Sequence, residues 1–132
     1  MSTTRWTHST NTVFNIGYHI IFCPKYRRAL LVGEVEELFK KAILQKAEEL
    51  KLEVVEFEVM PDHVHLFIKS KPTAAPHWIV QQLKGYSSYV LRKQFPRLMH
   101  LPCLWTRSYF CESVGHISEK TIRRYIAEQK LS

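Results

Sequence analysis

The sequence predicts an α+β fold, a ferredoxin-like antiparallel sheet in the order β-α-β-β-α-β with its helices on one face. Apolar residues that alternate with polar ones mark four short strands, and apolar residues at i, i+3, i+4 and i+7 spacing mark two long helices between them. This order is the split β-α-β plan of ferredoxin-like domains. We expect one domain over residues 1–132, because the length suits one core and no repeat or linker divides the chain.

The first half of the chain supplies a strand, a helix and a second strand. Residues 12–22 alternate, which predicts a strand with one apolar face formed by Phe14, Ile16, Tyr18, Ile20 and Phe22. An apolar stripe predicts a helix over residues 34–50. Residues 52–60 predict the next strand, in which Val55, Phe57 and Val59 lie opposite Glu56 and Glu58.

The second half completes the plan and adds a helix. Pro61 and Asp62 predict a tight turn, so the strand at residues 63–69 should form a hairpin with the strand before it. A helix over residues 76–95 begins at a proline, which suits a first helical turn. Residues 108–114 predict the fourth strand. Ser118 is an expected N-cap for a terminal helix over residues 119–130.

The charge balance favours a polyanionic partner. Nineteen Lys and Arg residues face twelve Asp and Glu residues, which gives a net charge of +7 and a pI near 9.5. Such a surplus in a small domain is typical of proteins that bind nucleic acid. A basic enzyme without such a partner is the alternative interpretation of the charge.

Other features of the composition exclude several classes of protein. Three cysteines without a C-x-x-C pair argue against a disulfide framework and against a zinc knuckle. No apolar run approaches the roughly 20 residues of a membrane span, and the first residues lack the apolar segment of a signal peptide. We therefore expect a cytoplasmic protein that has no contact with a membrane.

A pair of histidines is the first candidate for chemistry. His63 and His65 flank Val64 on the third strand, and residues two apart on a strand point to the same face. Neutral imidazoles that lie side by side form half of a binding site for a divalent metal. Two surface histidines on an exposed sheet face are the alternative.

A tyrosine and a glutamine on the terminal helix are the second candidate. Tyr125 and Gln129 are four residues apart, so they share a helix face. A tyrosine hydroxyl can act as a nucleophile, and an amide oxygen is a hard ligand that suits Mg²⁺ or Mn²⁺. The alternative is that the tyrosine only packs beside the apolar stripe of its helix.

Basic and aromatic residues recur along the chain. Cations neutralise phosphates and aromatic rings stack on bases, so their interleaving predicts a surface for single-stranded or hairpin nucleic acid. A solvated cationic surface is the alternative for any one of them. The candidates are Lys25, Tyr26, Arg27, Arg28, Lys84, Arg92, Lys93, Arg107, Tyr109, Arg123 and Arg124.

In these residues the sequence resembles the single-tyrosine transposases of the insertion-sequence 200/605 family. Their superfamily is named for a histidine-hydrophobic-histidine motif. The similar strings occur in the order of the family and span nearly the whole chain. They are YRR at 26–28, VMPDHVHL at 59–66, LKG at 83–85, LW at 104–105, SYF at 108–110, SVG at 113–115 and IRRYIAEQ at 122–129. The chain departs from the family at Thr106 and Arg107, where an asparagine and a proline are expected.

The resemblance implies a function and a set of site residues. Tyr125 is the expected nucleophile, and it would form a 5′-phosphotyrosine intermediate when single-stranded DNA is cut and rejoined. His63, His65 and Gln129 are the expected ligands of Mg²⁺ or Mn²⁺. The expected partners are single-stranded DNA and hairpins at transposon ends, together with a second copy of the chain in a homodimer whose subunits share their active sites.

Two other functions suit a ferredoxin-like domain. One is a module that binds RNA or single-stranded DNA without catalysis. The chain lacks the aromatic consensus of RNA-recognition sheets, and histidines stand where the rings of that consensus would lie. The other is a metal-dependent hydrolytic nuclease, which would leave no covalent link between protein and DNA.

Overall fold

The sheet has four antiparallel strands in the order β2-β3-β1-β4. The computed structural model describes residues 16–113 and residue 127. Short 3-10 turns lie at Lys25–Arg27 and Pro96–His100. The order of elements confirms the predicted α+β, ferredoxin-like class. The elements are β1 (Ile16–Phe22), α1 (Gly33–Glu49), β2 (Glu53–Met60), β3 (His63–Ser70), α2 (Pro76–Gln94) and β4 (Phe110–Ser113).

The helices α1 and α2 and the strands β2 and β3 begin and end within two residues of their predicted bounds. β1 ends at Phe22 as predicted, and its predicted first part at residues 12–15, with Phe14, lies outside the described residues. β4 is shorter than predicted. It begins at Phe110 rather than at residue 108, because the Ser108 carbonyl accepts hydrogen bonds from the side chains of Lys84 and Thr106. The predicted helix at residues 119–130 lies outside the described residues, apart from residue 127.

The core lies between the sheet and the two helices. Alternate residues of β1 and β3 point into it, and Phe22, Leu66 and Ile68 are completely buried there. Phe39 of α1 and Leu83 of α2 cover them from the helix layer. Burial of each such side chain contributes about 1.5–3 kcal/mol. Because the helices cover one face of the sheet, only the opposite face is open to a ligand in the described part of the chain.

A β-bulge in β2 corrects one sequence-based prediction. Val54 pairs with Ile68 and Glu56 pairs with Phe67, so Val55 is an extra residue without a partner on β3. The side chain of Val55 is therefore exposed and does not share the face of Phe57 and Val59, contrary to the prediction. The bulge also restores the inward direction of Phe57, which does pack against the core as predicted.

The sheet face opposite the helices carries the histidines. Alternation along β3 directs Val64, Leu66 and Ile68 into the core, so His63 and His65 point to the other face. Neither α1 nor α2, the long helices within residues 16–113, combines the length and apolar character needed to cross a membrane.

Candidate active site

His63 and His65 lie together on the open face of the sheet, as their spacing predicts. β3 begins at His63, directly after the tight turn at Pro61 and Asp62. Their side chains are 15% and 20% exposed, so both imidazoles are partly shielded but still reach solvent. The structure brings the two rings to one surface, and their role as metal ligands stays a prediction.

A carboxylate holds one ring nitrogen of His63. Nδ1 of His63 is 3.0 Å from Oδ1 of Asp62, and the other Asp62 oxygen pairs with the guanidinium of Arg27. A carboxylate only accepts hydrogen bonds, so Nδ1 carries the proton and Nε2 keeps a lone pair for a metal. Burial alone would raise the pKa of Asp62. The hydrogen bonds from His63 and Arg27 and the Arg27 charge outweigh burial, and they lower that pKa below its usual value.

A third histidine, absent from the sequence-based candidates, contacts His65. Nδ1 of His19 on β1 is 3.3 Å from Nε2 of His65. The His19 ring also stacks on Phe67, with centroids 4.7 Å apart and an interplanar angle of 15°. Burial is the main cause that lowers the pKa of His19, and neighbouring His65 lowers it further. A neutral His19 can accept a hydrogen bond from the Nε2–H of His65. In that tautomer Nδ1 of His65, which is 4.0 Å from Oε1 of Glu58, would be the ligating nitrogen.

The donors on this face suit a divalent metal. With these tautomers, each of the two candidate imidazoles would have one nitrogen hydrogen-bonded to a neighbour and one nitrogen for a metal, which is the usual arrangement around metal-bound histidine. Within residues 16–113 and residue 127, no three His, Cys, Asp or Glu side chains are placed to share an ion. In the metal hypothesis, a further ligand would come from outside these residues. The predicted third ligand, Gln129, lies outside the described residues, as do Tyr125, Arg123 and Arg124.

The basic cluster after β1 divides into two kinds of residue. Tyr26 is 67% exposed, and the charged groups of Lys25 and Arg28 lie 5.3 and 5.9 Å from the centre of its ring. Arg27 instead turns inward to Asp62, and its side chain is only 9% exposed. The Tyr26 ring with its two cations is open to solvent, and its contact with DNA stays a prediction, whereas Arg27 supports the turn before His63.

Two of the predicted DNA-binding cations also donate hydrogen bonds to backbone carbonyls within the chain. Nζ of Lys84 donates to the carbonyls of Thr106 and Ser108 at 2.7 and 3.2 Å. Burial lowers the pKa of Lys84 to about 8. Arg92 donates to the carbonyl of Leu101 at 2.9 Å. Both therefore fix the segment before β4, and their contact with DNA stays a prediction.

The remaining predicted DNA-binding residues of the described range are accessible. Arg107 is exposed, Lys93 lies 5.6 Å from the ring centre of Tyr89, and the Tyr109 hydroxyl is 3.4 Å from Nδ1 of His77. Rings and cations thus alternate along this side of α2, which is the composition that binding of a nucleic-acid strand requires.

The sequence is similar to those of known transposases. The family described as Transposase IS200 like matches residues 12–129. The ISDra2 transposase TnpA of Deinococcus radiodurans is 38% identical over 120 residues, which cover 89% of this chain and 86% of that protein. The transposase for insertion sequence element IS200 of Salmonella typhimurium is 32% identical over 122 residues, or 90% of this chain and 80% of that protein.

Solved structures agree with the sequence matches. A crystal structure from Deinococcus radiodurans, of a protein assigned as a transposase, has a TM-score of 0.84 and 34% identity, and the match covers 93% of this chain and 97% of that one. A REP-associated tyrosine transposase bound to a REP hairpin has a TM-score of 0.56 at 14% identity, covering 91% and 68%. The second likeness concerns the fold alone.

The fold, the histidine pair and these matches define the class of protein. The chain belongs to the IS200-like transposase family, which confirms the family resemblance seen in its motifs.

Proposed function

We propose that this transposase cuts and rejoins single-stranded DNA at transposon ends through a 5′-phosphotyrosine intermediate at Tyr125. The observation that carries the proposal is the histidine pair on the open sheet face, with one nitrogen of His63 held by Asp62 and one of His65 held by His19. Family membership and the spacing of four residues between Tyr125 and Gln129 in the sequence support it.

His63, His65 and Gln129 would hold the metal, for which we propose Mg²⁺ or Mn²⁺. An ion held there would polarise the scissile phosphate and stabilise charge on the leaving 3′-oxygen. Imidazoles prefer softer metals than Mg²⁺, whereas an amide oxygen is a hard donor, so Mn²⁺ suits the mixed set well. Asp62 and His19 keep the two imidazoles oriented before any ion arrives.

Tyr125 supplies the nucleophile. Its oxygen attacks the phosphorus, a P–O bond to tyrosine forms, and the bond to the 3′-oxygen breaks, which leaves a free 3′-hydroxyl. The phosphotyrosine ester conserves the energy of the broken phosphodiester bond. Attack by another 3′-hydroxyl therefore rejoins the DNA and releases the tyrosine. A tyrosine hydroxyl has a pKa of about 10, so its proton must pass to a base or to water, and the leaving 3′-oxygen takes up one proton in return. The metal, a nearby base or the charges of Arg123 and Arg124 would assist this loss.

The DNA partners in this proposal are single strands and hairpins at transposon ends. The exposed ring of Tyr26 between Lys25 and Arg28 offers a stacking surface with adjoining cations. The net charge of +7 supplies the attraction for a polyanion. A protein that shares this fold has been solved with a REP hairpin.

The active enzyme in this proposal is a homodimer. Tyr125 of one subunit works with His63 and His65 of the other. In the sequence, Gly115 stands between the predicted fourth strand and the predicted helix of Tyr125, and a connection of a few residues is enough to redirect such a helix. Two-fold dimers are the commonest assembly of small homo-oligomers.

One experiment separates this function from its two rivals. The protein is incubated with end-labelled single-stranded DNA and Mn²⁺, with and without EDTA, and is run on a denaturing gel. A transposase of this kind gives a labelled band that migrates with the protein only when metal is present. Cleavage without that band would indicate a hydrolytic nuclease, and binding without cleavage would indicate a binding module.

A further inference from the structure

A continuous groove runs along the outer side of α2. Two cavities, of about 300 and 630 Å³, flank the helix, and Gly85 and Ser88 line both of them. We call the joined cavities the α2 groove. It lies in the helix layer, on the side of the sheet opposite His63 and His65, so it is separate from the candidate active site.

Nothing in the fold of the described residues requires a glycine at position 85. It lies in the middle of α2, where a glycine costs about 0.5–1 kcal/mol relative to alanine. A Cβ added at Gly85 would have nothing within 4 Å among these residues, and its backbone does not have the positive φ that favours glycine. A bare stretch of helix permits close approach by a molecule outside the subunit.

The chemistry of the groove points to a polyanion. Cations lie at both ends, Lys84 and Arg107 at one and Arg92 and Lys93 at the other, and no described residue that lines either cavity is an Asp or a Glu. A cationic groove attracts a polyanion more strongly than it attracts a second copy of this chain, which itself carries a charge of +7. Charge complementarity therefore favours nucleic acid as the occupant.

Each end of the groove also presents an aromatic ring beside a cation. Tyr89 is 61% exposed, and Nζ of Lys93 lies 5.6 Å from its ring centre. At the other end Nζ of Lys84 lies 5.5 Å from the ring of Tyr109, which also stacks with His77. Rings at the two ends can stack on bases, and the neighbouring cations can neutralise the phosphates between them.

We propose that a single strand of the bound DNA crosses α2 over Gly85 and Ser88, in addition to the strand that is cut at the histidine face. Its bases stack on Tyr109 and Tyr89, and its phosphates lie near Arg107 and Lys93. This rests on the proposed function only in taking single-stranded DNA as the ligand.

The test fills the groove without changing its charge. Gly85→Gln adds a long neutral side chain to the floor, and Gly85→Ala is the matched control, since it adds only the Cβ. Binding of fluorescein-labelled oligothymidylate is followed by fluorescence anisotropy. We expect Gly85→Gln to weaken binding about tenfold and Gly85→Ala by less than about twofold. Both variants should melt no lower than the wild type, because glutamine and alanine are better helix formers than glycine.

A second set of variants tests the phosphate contacts. Lys93→Gln and Arg107→Gln should each reduce the slope of log affinity against log salt by about 0.7, the value for one phosphate contact on a single strand. Lys41→Gln, which removes a charge from an exposed position on α1, should leave the slope unchanged.

Two results would overturn the proposal that a DNA strand binds in the α2 groove. One is unchanged affinity of a folded Gly85→Gln variant. The other is a change in its sedimentation, which would make the groove a contact between two copies of the chain. The covalent-adduct gel of the wild type is scored separately. A missing adduct together with weaker binding by Gly85→Gln would refute only the proposed function, and an adduct together with unchanged binding would refute only the groove.

Discussion

Replacing Asp62 by Asn removes the carboxylate that Arg27 and His63 share. In the wild type, Nδ1 of His63 lies 3.0 Å from Oδ1 of Asp62, and the other carboxylate oxygen pairs with Arg27. The asparagine amide has only one acceptor oxygen, so either His63 or Arg27 loses its hydrogen-bond partner. Loss of such a partner behind a metal-bound histidine lowers metal affinity about 10–100-fold, which is about 1.4–2.8 kcal/mol. We expect this range for Mn²⁺.

The same change should also lower stability. A hydrogen bond to a charged group contributes about 1.5–3 kcal/mol. The Arg27 side chain is 9% exposed, but that of Asp62 is 29% exposed, so water replaces part of the lost interaction. We therefore expect the free energy of unfolding to fall by about 1–2 kcal/mol, a loss that should leave the variant folded for the binding measurement.

Isothermal titration of the metal-free protein with Mn²⁺ measures the first effect, and urea unfolding measures the second. Glu48→Gln makes the same carboxylate-to-amide change at an exposed position on α1 and serves as the control for net charge. If the Asp62→Asn variant bound Mn²⁺ as tightly as the Glu48→Gln variant does, the contact of Asp62 would not prepare His63 for a metal.

Three further predictions concern His19, pH and assembly. His19→Phe keeps a ring that can stack on Phe67 but removes the nitrogen beside His65, so the affinity for Mn²⁺ should fall. His19→Gln should recover part of that affinity, and the same titration measures both variants. Because the pKa of folded His19 lies below the unfolded value of about 6.5, the unfolded chain takes up the proton more readily. The free energy of unfolding should therefore fall as pH drops below about 6.5, and urea unfolding should show a shallower fall in His19→Phe; an identical fall would exclude His19 as the cause. After subunit exchange, a mixture of Tyr125→Phe and His63→Ala should regain up to about half the wild-type cleavage per mixed dimer if active sites are shared and independent. A mixture that stays inactive despite confirmed exchange would refute sharing of the active sites.

Much of the fold could be predicted because strand and helix periods are local properties of the sequence. The period of two places His63 and His65 on one face of β3 and Leu66 on the other, whatever the neighbouring strands are. The exposed position of Val55 could not be predicted in this way. A bulge depends on how two strands pair, and the pairing of β2 with β3 is a property of the whole sheet.

The histidine neighbours show the same limit. His19 lies 46 positions before His65, and only the register of β1 on β3, with His19 opposite Phe67, brings the two rings together. Arg27 was predicted to bind DNA from its place in a basic run. Its nearly buried contact with Asp62 depends on the turn at Lys25–Arg27, where Tyr26 and Arg27 both have positive φ.

The central claim is that Tyr125 becomes covalently linked to DNA. Trypsin cleaves after Arg124 and Lys130, so Tyr125 is the single tyrosine of its peptide. Mass spectrometry of nuclease-treated and trypsin-treated adduct therefore assigns the linked residue directly. We predict a nucleotide phosphate on the peptide 125–130, no adduct with Tyr125→Phe, and a wild-type amount with Tyr86→Phe, which removes only an exposed hydrogen bond to Gln45. An adduct on another peptide, or one that persists in Tyr125→Phe, would contradict the mechanism.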